Sequence, residues 1–182
     1  MRKFNGLRPQ DVALLLKLVA HPTRVWLGKD LAQTLYLSAS EISEALARCR
    51  FSRLLAPDPH TFTVHRQALL DFLCYGLPYA FAVQPGALAR GLPTGASAPP
   101  LAQTFGPEPA QVWPGAVGNQ WGVAVEPLYP QAPAAAQQDA PFYALLALTD
   151  ALRLGRPREV KLARQLLEQS IVVSPFTPAI HA

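Results

Sequence analysis

"LAQTLYLSASEISEAL", residues 31–46, sets two short apolar helical patterns on either side of a polar break at Ser38. Ser38 followed three residues later by Glu41 is the capping-box pattern, so Ser38 is expected to cap a helix. The buried face of that helix is predicted to be Ile42, Ala45, Leu46 and Cys49. The pattern upstream predicts a helix from about Gly28 to Leu35 that buries Leu31, Ala32 and Leu35. Only Tyr36 and Leu37 separate the two. So short a link forces a steep crossing, the geometry of a helix-turn-helix. Its second helix turns one face outward, and in DNA-binding versions that face enters the major groove.

The flanks extend this reading. Pro9 suits the first turn of a helix, where a missing N–H costs nothing. Val12, Leu15, Leu16 and Val19 follow at the spacing of a buried helical face, and His21-Pro22 ends the run. "RVWL" (24–27) reads as an extended connector, with Trp26 as a core or hinge aromatic. Residues 53–66 carry apolar runs on both sides of Pro57-Asp58-Pro59-His60, the pattern of a hairpin, and a hairpin after a recognition helix is a wing. Residues 66–77 predict a fourth helix with Gly76 as its stop.

The stretch 31–46 resembles the helix-turn-helix core of MarR-type winged-helix regulators, which commonly read LAxxLGVSxxxVSRAL. Leu31, Ala32, Leu35, Leu37, Ser38, Ile42, Ser43, Ala45 and Leu46 match that pattern, and the resemblance spans roughly residues 8–76. Two positions depart from it. Tyr36 stands where the turn usually has glycine, so positive φ and local strain are expected there. Glu44 stands where the outward face usually has arginine. The resemblance implies a winged helix-turn-helix domain that binds double-stranded DNA.

The residues expected to touch DNA follow from the outward face of the third helix. Ser38, Ser40 and Ser43 offer hydroxyls to phosphates or base edges. Arg48 has the reach and fork for guanine, and Glu44 can accept from a cytosine amino group or pair with Arg48 at i, i+4. Arg50 and Arg53 follow the helix, Lys29 and Arg24 precede it as phosphate contacts, and His60 marks the wing tip.

Charge and proline divide the 182 residues into three parts. Residues 1–76 hold ten Lys/Arg against six Asp/Glu, 77–141 hold one against three, and 142–182 hold five against three. Twelve of the 19 prolines fall in 77–141. The first part is the expected winged domain. The second is an irregular Pro/Gly-rich segment, with a short strand at 79–83 and a hairpin around Gly118-Asn119 carrying Trp113 and Trp121. Residues 89–109 show no periodic pattern, and their apolar content suits packed irregular chain better than a free linker. In the third part Phe142, Leu145, Leu146, Thr149 and Leu152 line one helix. Gly155 and Pro157 punctuate, and Val160, Ala163, Leu166, Leu167 and Ile171 line the next, an αα-hairpin with a tail. The fold class expected is mainly α with small β.

No apolar run of 18 residues and no signal-peptide h-region occur, so a cytoplasmic protein with no membrane contact is expected. Cys49 and Cys74 sit in apolar helical patterns and read as reduced, inert thiols. No phosphate loop, HExxH or CxxC occurs, so no catalytic residue, metal or cofactor is expected. The composite expectation is a sequence-specific DNA-binding regulator, a homodimeric repressor with the C-terminal hairpin at its interface. The rival is an antitoxin-like or other protein-interaction role, in which the 77–141 surface holds a protein partner.

Overall fold

The computed structural model describes residues 6–106, 108–116 and 118–173. They are mainly α-helical with one small sheet, arranged around a continuous apolar core.

The centre of that core is α1 (Pro9–Ala20). Pro9 opens it, and the Asp11 carboxylate accepts the Arg8 N–H at 2.8 Å. One buried face was expected, yet every residue from Asp11 to Val19 is buried. The reason is that α3 (Ala39–Phe51) packs on one side and α7 (Ala140–Leu154) on another, and a helix apolar all round is a buried one. Each fully buried leucine here stabilises the fold by about 1.5–3 kcal/mol relative to exposure.

The link between α2 (Gly28–Leu35) and α3 matches its sequence signals closely. Tyr36 takes a left-handed conformation with φ 54° and ψ 41°, and the Leu37 N–H closes back on the Ala32 carbonyl. Ser38 then caps α3. Its Oγ accepts the Glu41 N–H at 3.2 Å while Glu41 Oε2 accepts the Ser38 N–H at 2.8 Å. Residues 54–65 form a minimal hairpin. Ala56 donates to Thr63 O and His65 to Leu54 O, around the single bridge between Leu55 and Val64.

Gly76 does not stop the next helix. The chain runs from α4 (Arg66–Asp71) through a π turn at Phe72–Gly76 into α5 (Leu77–Ala80). Pro78 lacks the N–H that the Cys74 carbonyl would receive in an α-helix. Arg164 of α8 (Pro157–Glu168) supplies a donor instead, at 3.1 Å, and Leu77 N–H reaches back to Phe72 O. A Cβ on Gly76 would press on the Phe72 ring at 2.8 Å, so the glycine serves the packing of this turn.

Two strand expectations are corrected. Residues 79–83 are not a strand, because Tyr79 and Ala80 finish α5 and Phe81 turns onto Phe72 edge to face. Gly118-Asn119 is not a hairpin turn. Strands β2 (Ala110–Pro114) and β3 (Gln120–Ala124) are parallel, both antiparallel to β1 (Leu88–Pro93), and the three close into a barrel. Gly91 faces Pro114 on one side and Gln120 on the other, so the intervening link carries the chain onward rather than back. A barrel this narrow needs backbone on backbone. A Cβ at Gly91 would collide with the Trp113 carbonyl, and one at Gly122 with the Ala110 carbonyl. Trp113 is buried and Trp121 is exposed, so they do not share a side.

Asp150 of α7 ties the barrel to the helices. Its Oδ2 accepts from Thr94 Oγ1 at 2.7 Å and Trp113 Nε1 at 2.6 Å, and Oδ1 meets Arg153 at 2.8 Å. The stretch 89–109 is packed rather than free: Thr94, Ala96, Ala98 and Leu101 are fully buried. The αα-hairpin of α7 and α8 forms as expected and folds back on its own chain, after α6 (Ala132–Gln137). Ala163, Leu167 and Ile171 are buried there, and Val160 and Leu166 are partly buried. That stripe is largely consumed within the chain, so the reason for placing it at a dimer interface falls away. The tail from 174 onward lies outside the described residues.

Candidate nucleic-acid interface

The tight α2–α3 link and the hairpin at 54–65 leave one side of α3 facing outward. Ala39, Ser40, Ser43, Glu44 and Ala47 are exposed on it, and Phe51 at its end is 68% exposed. Lys29, on α2, and Arg53, after α3, are also exposed. Arg53 holds φ 59°, and its carbonyl accepts from His65 Nδ1 at 2.8 Å, so the backbone there is pinned by the hairpin.

Arg48 is not on that face. It is only 7% exposed and forms a two-pronged pair with Asp11 of α1, Nε to Oδ2 at 2.7 Å and one terminal nitrogen to Oδ1 at 2.8 Å. The Asp11 hydrogen bonds hold its guanidinium more firmly protonated than usual. Glu44 approaches only weakly, at 3.4 Å. A buried acid within hydrogen-bond reach draws an arginine inward more strongly than solvent draws it out, so Arg48 is withdrawn as a base contact. Arg50 is half-buried and gives its guanidinium to the carbonyls of Pro59 and Thr61, 3.3 Å each, bracing the hairpin tip. Ser38 is occupied by its cap, with Oγ also donating to Glu41 Oε2 at 2.7 Å. The structure therefore leaves Lys29, Ser40, Ser43, Glu44 and Arg53 exposed. It assigns Ser38, Arg48 and Arg50 to scaffolding. His60 is exposed at the hairpin tip, where Asp58 accepts its N–H at 2.9 Å.

Several polar residues that organise this region escaped sequence reasoning. Asp11 and Lys17 are buried charges on α1, and Lys17 pairs with Asp139 at 2.6 Å. Asp139 also caps α7 through Phe142 N–H at 3.0 Å and meets His21 Nε2 at 2.6 Å. Burial pushes the Asp139 carboxyl up, but the hydrogen bonds from Lys17, Phe142 N–H and His21 outweigh it, and its pKa lies below the ordinary value. The signal for them was present: single charges inside an otherwise apolar helix require buried partners.

Cys49 and Cys74 are free and buried, and burial raises both thiol pKa values, which disfavours the reactive thiolate. Among the described residues no cluster of three or more His, Cys, Asp or Glu is arranged to hold a metal ion, and no helix is long and apolar enough to cross a membrane. No protein-family model matches the chain, and no curated protein or solved structure is significantly similar to it.

Proposed function

We propose that this chain is a cytoplasmic, sequence-specific DNA-binding transcriptional regulator of winged helix-turn-helix type, acting as a homodimer on a two-fold operator. The observation that carries the reading is the α2–Tyr36–Leu37–α3 unit. A left-handed turn and a reciprocal cap fix a short helix with its polar side outward, beside a hairpin whose tip is braced by Arg50. In this reading Ser40 and Ser43 approach the base edges, and Lys29 and Arg53 clamp phosphates on either side. Arg48 contributes by fixing the angle between α3 and α1 instead of reading a base.

With Lys29 and Arg53 as the phosphate contacts of this face, each chain is a weakly electrostatic binder. A dimer neutralising about four phosphates gives a slope of about −4 for log K against log salt. The test is fluorescence anisotropy with DNA from upstream of the chain's own gene, at several salt concentrations. Lys29→Ala and Arg53→Ala should each weaken binding and flatten the slope. Binding independent of salt, or unmoved by both substitutions, would remove the DNA reading.

A second reading is favoured by one observation. The exposed side of α3 carries Glu41, Glu44 and the ring of Phe51, an acidic and apolar surface suited to a protein partner. In that case Phe51→Ser abolishes partner capture and leaves any DNA binding intact.

A further inference from the structure

The connector between α1 and α2 and the outer strand of the 54–65 hairpin do not pair with each other, and a cleft of about 340 Å³ lies between them. That volume falls within the about 300–1,000 Å³ of small-molecule sites. Its apolar wall includes Leu18, Val25 and Phe62. Its polar lining is His21, Arg24, His60 and Arg66 with Thr61 and Thr63, and no Asp or Glu is among the described residues that form it. Two of these are partly occupied, since His21 meets Asp139 and Arg66 gives one nitrogen to the Ile171 carbonyl. Arg24 is exposed, with its guanidinium carbon 4.0 Å from the centre of the Trp26 ring, and His60 is exposed at the hairpin tip.

Trp26 underlies Arg24 in this cleft. It forms part of the cleft wall and is only 8% exposed, and its indole Nε1 is buried with no hydrogen-bond partner among the described residues. Closed to solvent, that N–H lies behind the cleft wall, and it is the ring of Trp26, beneath the Arg24 guanidinium, that backs the cleft.

We infer that this cleft is a binding site for a small organic anion, an aromatic or similarly flat body bearing a carboxylate or phosphate. The oxyanion would sit between Arg24 and His60, where charge-assisted hydrogen bonds are strongest. The flat body would lie on Val25 and Phe62. This site does not depend on the DNA reading, because it uses neither the outward side of α3 nor Lys29 or Arg53.

The test is isothermal titration calorimetry of the full chain with four probes: sodium benzoate, phenyl phosphate, inorganic phosphate and benzyl alcohol. Saturable binding of benzoate or phenyl phosphate is expected, with benzyl alcohol and inorganic phosphate weaker by about tenfold or more, the equivalent of one charge-assisted hydrogen bond. Arg24→Gln and His60→Gln alter exposed side chains, and a thermal melt confirms that each still folds. Each should weaken the aromatic anion by about tenfold. Arg24 also borders a neighbouring groove beside Asp139, so His60→Gln is the variant that places the ligand in this cleft. Failure of both aromatic anions to saturate at millimolar concentration overturns the inference. So does equal affinity for benzyl alcohol or for bare phosphate, or an affinity that His60→Gln leaves unchanged.

Discussion

In Arg48→Met the carboxylate of Asp11 keeps the Arg8 N–H at 2.8 Å and loses two guanidinium hydrogen bonds, of 2.7 and 2.8 Å. Asp11 is 0% exposed, so water replaces them only if the α1–α3 contact opens. Cutting a buried pair from one side costs about 3–5 kcal/mol. Methionine retains most of the apolar stem, which places the expected loss at about 3–4 kcal/mol. For a chain of this size each kcal/mol moves the melting point by about 2–4 °C, so Tm should fall by about 10 °C. Asp11→Leu combined with Arg48→Met removes both charges and should recover most of the loss. What remains is the helix-end hydrogen bond from Arg8, about 1 kcal/mol. Urea denaturation followed by circular dichroism gives the stabilities, and anisotropy below the melting point gives DNA affinity. Arg48→Met should unfold early yet bind DNA like the parent while folded. A loss under about 1 kcal/mol, together with weakened DNA binding, would mean that Arg48 faces outward and that the pairing argument is mistaken.

Three further outcomes are expected. Tyr36→Gly relieves a left-handed backbone and should raise stability by about 0.5–1 kcal/mol in urea; a loss would show that ring contacts outweigh the strain. The pKa of Asp139 is depressed in the fold, so its stabilisation is complete above the unfolded value of about 3.9 and disappears as pH falls through the folded value. Asp139→Asn should therefore be about 3 kcal/mol less stable than the parent at pH 7, and the gap should narrow progressively as pH falls below about 4; a gap constant with pH would contradict this. Ser43→Glu should cost a few kcal/mol of DNA affinity with stability changed by under about 0.5 kcal/mol, whereas Ile42→Asp should unfold the region. Equal DNA binding by Ser43→Glu and the parent would disqualify α3 as the recognition helix.

Local signals in this chain were legible and long-range ones were not. Pro9, His21-Pro22, Ser38 with Glu41, Gly155 and Pro157 mark helix ends through chemistry confined to a few neighbouring residues, and the structure places the ends there. Arg48 reads as outward on a helical wheel because its partner, Asp11, is 37 residues away. The barrel was hidden for the same reason. Its β2–β3 pairing is parallel across a short link, and alternation in "YAFAV" imitates a strand where Pro78 starts a helical turn. The basic cleft draws on α1, the connector and the hairpin at once, so no single stretch of sequence displays it.

The Lys17–Asp139 pair joins residues 122 positions apart. During translation at about 5–20 residues per second, the ammonium group precedes its carboxylate by about 6–24 seconds. Throughout that interval α1 has been made but the surface contributed by α7 has not, so one flank of the central helix faces water with an unneutralised lysine in it. A nascent chain in this state cannot complete its core, however well its first three helices form. Full folding of the N-terminal third waits on residues near the other end, and a ribosome stalled before Asp139 would present a sticky, unfinished helix to the cell's chaperones.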